Sequence, residues 1–169
     1  MRTMSIPAWQ LPPPSAVILE LGLGMELLWG HTLVTLAEIV IGFAISLLIG
    51  LVLSAGIAYS SLLQRSIYPI VISSQTVPII AIAPLLLIWV GYGLAPKVII
   101  VAIICFYPIV VNTVDGLKAI DPDMVNMMRA LGATKYQVFR KLQIPTALPF
   151  IFSGIKISIS VSVIAAVIG

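Results

Sequence analysis

The sequence predicts an all-α protein that crosses a membrane several times. Its composition is the first reason: 60% of the 169 residues are hydrophobic and only 9% carry charge, against roughly 25% charged in a typical soluble domain. Too few charges are available to cover a globular surface of this size, so the bilayer is the solvent for most of the chain. The second reason is the placement of those charges. Several stretches hold at most one of them and are as long as the roughly 20 apolar residues a spanning helix needs. The third is a charged, helix-patterned segment at 121–145, set between two such stretches.

Residues 1–31 are predicted as an extracytoplasmic tail and an interfacial helix, and residues 32–169 as the membrane domain. Arg2 is the only early cation, and Pro12, Pro13 and Pro14 interrupt any apolar core, so a signal peptide is not indicated. The prolines favour an extended start. Residues 15–30 carry Glu20, Glu26 and three glycines, a pattern that suits an interfacial helix.

The first span is predicted at 32–58, with Glu38 its only charge, near the outer end and within reach of the headgroups. The second lies in the charge-free stretch between Arg65 and Lys97. Residues 65–69 are expected as a lead-in turn, and Pro78 and Pro84 as a break inside the membrane, tolerated where freed carbonyls face protein or water. Trp89 and Tyr92 fit an interfacial belt, with Gly91, Gly93 and Pro96 forming the turn. The third span is predicted at 98–114 and the fourth at 149–169. If these alternate, Arg65, Lys118, Arg129, Lys135, Arg140 and Lys141 share one side, which the positive-inside rule makes cytoplasmic.

The segment 121–145 reads DPDMVNMMRALGATKYQVFRKLQIP. Asp121 is a good N-cap, Pro122 suits the first helical position, and Asp123 sets negative charge at the positive end of the helix dipole. Met124, Met127, Met128 and Leu131 fall at i, i+3, i+4 and i+7, one helical face. Gly132 stands where a left-handed cap is expected. Thr134 then caps a second short helix, which Pro145 ends. Methionine suits irregular docking grooves; the ordinary alternative is that this face rests on the protein's own helices or on headgroups.

This segment resembles the permease subunits of ATP-binding-cassette importers, the binding-protein-dependent transport inner-membrane family. Their cytoplasmic loop reads E-A-A, three residues, G, nine residues, I-x-L-P. Gly132 and Pro145 match at the family spacing, with Leu142 and Ile144 in the apolar positions. Asn126, Met127 and Met128 replace the Glu-Ala-Ala triplet. QLPPPSAVI, HTLVTLAEIVIGF, VPIIAIAPLLLIWVGYG, FYPIVVNTVDGLKAID and IPTALPFIFSGIKIS are similar to further family segments, in order. Together they are most similar to the nitrate/sulfonate/taurine branch, and within it to permeases for thiamine-precursor pyrimidines or riboflavin.

The resemblance implies a type I importer membrane fold, here with about four of the usual six spans, in a bacterial-type inner membrane. It implies a coupling helix at 121–135 whose contacts come from Asp121, Asp123, Met124, Asn126, Met127, Met128, Arg129, Leu131, Gly132 and Ala133, together with Pro145. The implied partners are an ATPase subunit, a second permease protomer and an extracytoplasmic binding protein. ATP and its Mg²⁺ would be held by the ATPase, since this chain has no Gly-Lys pair and hence no P-loop pattern. Against the family pattern the chain lacks a span before LPPPS and everything after the fifth.

For the pathway, polar groups inside spans are the candidates, because they are costly in lipid. Gln75, Thr76, Asn112, Ser158 and Ser162 are named on this ground, with helix packing as the alternative for the serines. Lys156 either snorkels or serves the path or packing. Cys105 has no disulfide partner and sits in an apolar run, and His31 is read as an interfacial residue. No basic cluster with interleaved aromatics suggests nucleic-acid binding. A truncated, non-transporting product and a secondary transporter or channel component are the competing readings.

Overall fold

A computed structural model describes residues 13–168. The prolines up to Pro12 and the tail before them lie outside this range. The chain divides into two compact units, Met1–Leu36 and Ala37–Gly169.

In the first unit, α1 (Pro14–Leu23) starts with Pro14 at its first position and ends at Gly24, whose N–H donates to the Glu20 carbonyl at 2.8 Å. Leu19, Leu23 and Leu27 are exposed. The expected interfacial helix therefore stops earlier than predicted: α2 (Met25–Tyr59) already includes residues 25–30, because nothing after Gly24 breaks the helix.

In the second unit, α5 (Leu94–Lys118) is the central helix, packed by α2 and by α8 (Ile144–Ile168). The packing follows membrane rules, in which small residues bring backbones together because lipid gives apolar side chains no reason to hide. The buried residues of α2 include Glu38, Gly42, Ser46, Gly50 and Ser54, one every fourth position and so along one face. Leu48 and Val52 stay exposed. A Cβ built on Gly42 would lie 2.7 Å from Val101 Cβ and 2.8 Å from the Val98 carbonyl oxygen, so only glycine permits this approach. Ser54 Oγ donates to its own helix at Gly50 (2.6 Å) and across to the Val110 carbonyl (3.3 Å).

Two apolar clusters fill the unit. Val101, Cys105 and Ile109 of α5 meet Ala165 and Ala166 of α8. Ile57, Val71, Val110 and Val114 form the other cluster, with Ile67 and Tyr68 packed on it.

The second predicted span is a bent pair. Helix α3 (Ser61–Ser74) and α4 (Ile79–Val90) meet at 95° across the break at 75–78. Pro78 makes this break, as expected. Pro84 does not; it lies within α4. The expected turn at 65–69 is absent too: α3 is capped by Ser60, whose Oγ accepts from the Leu63 N–H, and runs through Pro69. Gly91 and Gly93, at φ 89° and 133°, turn the chain into α5. Counting this pair once, the described residues hold four apolar spans, with α2, α5 and the helical stretch Lys135–Ile168.

That last stretch corrects the prediction for Pro145. Helix α7 (Lys135–Val138) passes through a π-helical turn, Phe139–Gln143, directly into α8. The Ile144 N–H reaches back five residues to the Phe139 carbonyl. The wider turn re-registers the backbone just before the residue that has no N–H to donate, so Pro145 sits in the first turn of α8 instead of ending a helix.

Candidate functional site

The site builds from the chain leaving α5. Lys118 closes that helix, and Asp121 caps the next, α6 (Pro122–Ala130), by accepting from the Asp123 N–H at 2.9 Å. Asp123 and Arg129 complement the dipole at opposite ends. The far end closes as predicted. Gly132 takes φ +80°, its N–H donates to the Arg129 carbonyl at 2.9 Å, and the Ala133 N–H donates to the Met128 carbonyl at 3.0 Å. Thr134 and Gln137 form a reciprocal capping box: the Thr134 N–H donates to Gln137 Oε1 at 2.8 Å, and the Gln137 N–H to Thr134 Oγ1 at 3.3 Å.

The faces of α6 then separate. Val125 and Arg129 line a small cavity of about 160 Å³ with Ala58 and Tyr59 at the end of α2 and Val138 of α7. Tyr59 also meets Phe139 edge-on, ring centroids 6.1 Å apart. That side seats the helix on its own chain. Met124, Met127 and Leu131 point the other way and are 47%, 56% and 79% exposed. Met128 is half-buried between the two sides, Asn126 is exposed, Ala133 is half-buried and Pro145 is exposed. The methionine face thus has no cover from the described residues of this chain.

The polar candidates of the spans are not brought together. Gln75 and Thr76 lie exposed at the break between α3 and α4. Gln75 and Ser74 supply polar lining to a cavity of about 420 Å³, otherwise walled by residues such as Ile82, Ile104, Val161 and Ala165. Asn112 is half-buried and donates from Nδ2 to the Pro108 carbonyl at 2.8 Å, close to Gly154 of α8. Ser158 and Ser162 are buried; Ser158 binds α5, while Ser162 donates to the Ile159 carbonyl at 2.7 Å. Lys156 and His31 are exposed.

Two constellations had no signal in the sequence. Glu38 does not reach the headgroups: it is 2% exposed and pairs with Lys97 of α5 at 3.8 Å, with its Oε2 unpartnered. Tyr68 of α3 donates to Asp115 Oδ1 at 3.1 Å, and Lys118 Nζ stands 4.6 Å from the Tyr68 ring centroid. Partners 47 and 59 positions apart leave no local periodicity to find; only Asp115 and Lys118, at i and i+3, were visible as neighbours.

The described residues thus set a capped, outward-facing helix between the spans of a helical membrane domain. The chain belongs to the family described as the binding-protein-dependent transport system inner membrane component, which matches residues 46–169. It is therefore a multi-pass protein of the cytoplasmic membrane with the type I ABC importer membrane fold.

Among relatives, it is 37% identical over 160 residues to the formylaminopyrimidine transport permease protein of Halalkalibacterium halodurans, covering 94% of this chain and 64% of the relative. It is 36% identical over 165 residues to the riboflavin transport system permease protein of Chloroflexus aurantiacus, covering 96% and 62%. The taurine transport system permease protein of Escherichia coli K12 is 28% identical over 158 residues, covering 89% and 58%. The chain thus spans about three-fifths of the length of these relatives.

Proposed function

We propose that this permease couples to a separate ATPase subunit through the open methionine face of α6, and that it imports a small organic or anionic solute. The observation that carries the reading is the exposure of Met124, Met127 and Leu131 on a helix fixed at both ends by caps. A seated, capped helix presents its apolar side chains at little further ordering cost, which favours docking. Family membership and the spacing from Gly132 to Pro145 support an ATPase as the occupant.

In this reading ATP and Mg²⁺ belong to the ATPase, and ATP draws two ATPase subunits together. Each carries its docked α6, and the motion passes along α5 and through the π turn into α8. Two permease protomers enclose the pathway, as the family resemblance implies. A binding protein delivers cargo from the side opposite α6. Gln75 and Thr76 are assigned to the pathway, with Asn112 beside it. Ser158 and Ser162 retain a pathway role only if the helices carrying them separate during transport. The relatives' names point to a formylaminopyrimidine or riboflavin as cargo.

The test is co-purification. Replacing Met124 and Met127 with Asp places charge in the proposed groove and should abolish recovery of the ATPase subunit with the intact permease. Retained recovery would show that α6 is not the docking element.

A further inference from the structure

We infer that Tyr68, Asp115 and Lys118 form a latch that carries displacement of α6 to the membrane break beside Gln75. The inference rests on the docking role proposed for α6. Asp115 and Lys118 occupy the last turn of α5, a few residues before the Asp121 cap. Any movement of α6 must pass through this turn or through α7. Tyr68 lies on α3, and its ring packs on the cluster of Ile57, Val71, Val110 and Val114. The hydroxyl donates to Asp115 Oδ1 at 3.1 Å, while Lys118 Nζ stands 4.6 Å from the ring centroid. Two residues of one helical turn therefore grip a single side chain of α3, one by its hydroxyl and one at its ring.

The position of Tyr68 along α3 gives the grip its consequence. It stands two turns before the 95° bend at 75–78, and the residues at that bend, Ser74 and Gln75, line the 420 Å³ cavity. The helix between them is continuous, so a pull on Tyr68 is transmitted to the bend as a rigid displacement. Pro78, which has no N–H to donate, and the passage from α-helical bonds to three-residue turn bonds after Ser74 make the bend the compliant point. Tyr68 and Asp115 are thus positioning residues: they need not touch cargo or nucleotide, but they tie the docking helix to the cavity wall.

The test uses the full-length permease assembled with its ATPase in proteoliposomes, and it needs no knowledge of the cargo. A Ser74→Cys reporter is labelled with a membrane-impermeant thiol reagent; the native Cys105 is buried and serves as an unreactive background. With the latch intact, the labelling rate should differ at least about fivefold between nucleotide-free and vanadate-trapped complexes. Tyr68→Phe keeps the ring and removes the hydroxyl. It should leave ATPase co-purification at the parental level and reduce the nucleotide response to less than about twofold. Asp115→Asn retains an acceptor oxygen and should preserve most of the response, whereas Asp115→Ala should lose it. A full response in Tyr68→Phe with normal co-purification would overturn the latch alone. Failure of the unsubstituted chain to recover the ATPase would overturn the docking reading and the latch with it.

Discussion

Ser158 and Cys105 bind one another reciprocally across the interface of α5 and α8. Ser158 Oγ donates to the Cys105 carbonyl at 3.0 Å, and Cys105 Sγ donates to the Ser158 carbonyl at 3.4 Å. Both residues are fully buried. Interhelical hydrogen bonds in membrane proteins contribute about 0.6 kcal/mol on average. Ser158→Ala should therefore lower stability by about 0.5–1.5 kcal/mol, read as an earlier thermal transition in detergent. Ser158→Leu should cost more, about 1–3 kcal/mol, through overpacking.

The meeting of α2 with α5 depends on a missing side chain. Gly42→Ala would bring a Cβ within 2.8 Å of the Val98 carbonyl oxygen, a backbone atom that cannot turn aside. We expect a loss of about 1–3 kcal/mol. Gly30→Ala is the control: its Cβ would meet nothing within 4 Å, so the helix-propensity gain of up to about 1 kcal/mol should appear unopposed. Thermal denaturation of the two variants side by side checks both signs.

Glu38 and Lys97 should show strong coupling. Lys97→Met leaves a buried carboxylate without its cation and should cost about 1–3 kcal/mol, below the range for a fully buried pair, because Lys97 is 39% exposed. Adding Glu38→Gln should recover most of that loss. A double-mutant cycle in denaturation measures the coupling, and additive effects would show that the contact contributes nothing.

Gly132 is needed for its backbone conformation. At φ +80° a β-branched residue is strained by about 1–2 kcal/mol or more, so Gly132→Val should loosen the end of α6 and weaken ATPase recovery by several-fold. Gly132→Asn, which tolerates this conformation, should retain most of it. Co-purification across the pair checks this.

Much of this architecture was legible in local pattern. Asp121, Pro122, Gly132 and Thr134 mark helix ends through short-range hydrogen bonds, and all four act as their chemistry predicts. Charge-poor runs located the spans, because hydrocarbon disfavours unpaired charge. The proline readings failed in part for an equally local reason. Pro69, Pro84 and Pro145 each lie inside or at the start of a helix, since a lost bond to residue i−4 can be absorbed by surrounding packing or by a π turn, and single-residue rules do not contain that compensation. Glu38 was read as headgroup-facing because its partner is 59 positions away. The pathway serines looked like any polar residue in a span until α5 was placed against α8.

The central claim is that the methionine face of α6 is where the ATPase docks. Site-specific photo-crosslinking in the assembled transporter tests it most directly, with the probe at Met127 and, as a control, at Tyr92, which is exposed in the turn that precedes α5. The account predicts an adduct with the ATPase subunit from position 127 and none from position 92. No adduct at 127, or equal adducts at both positions, would contradict it.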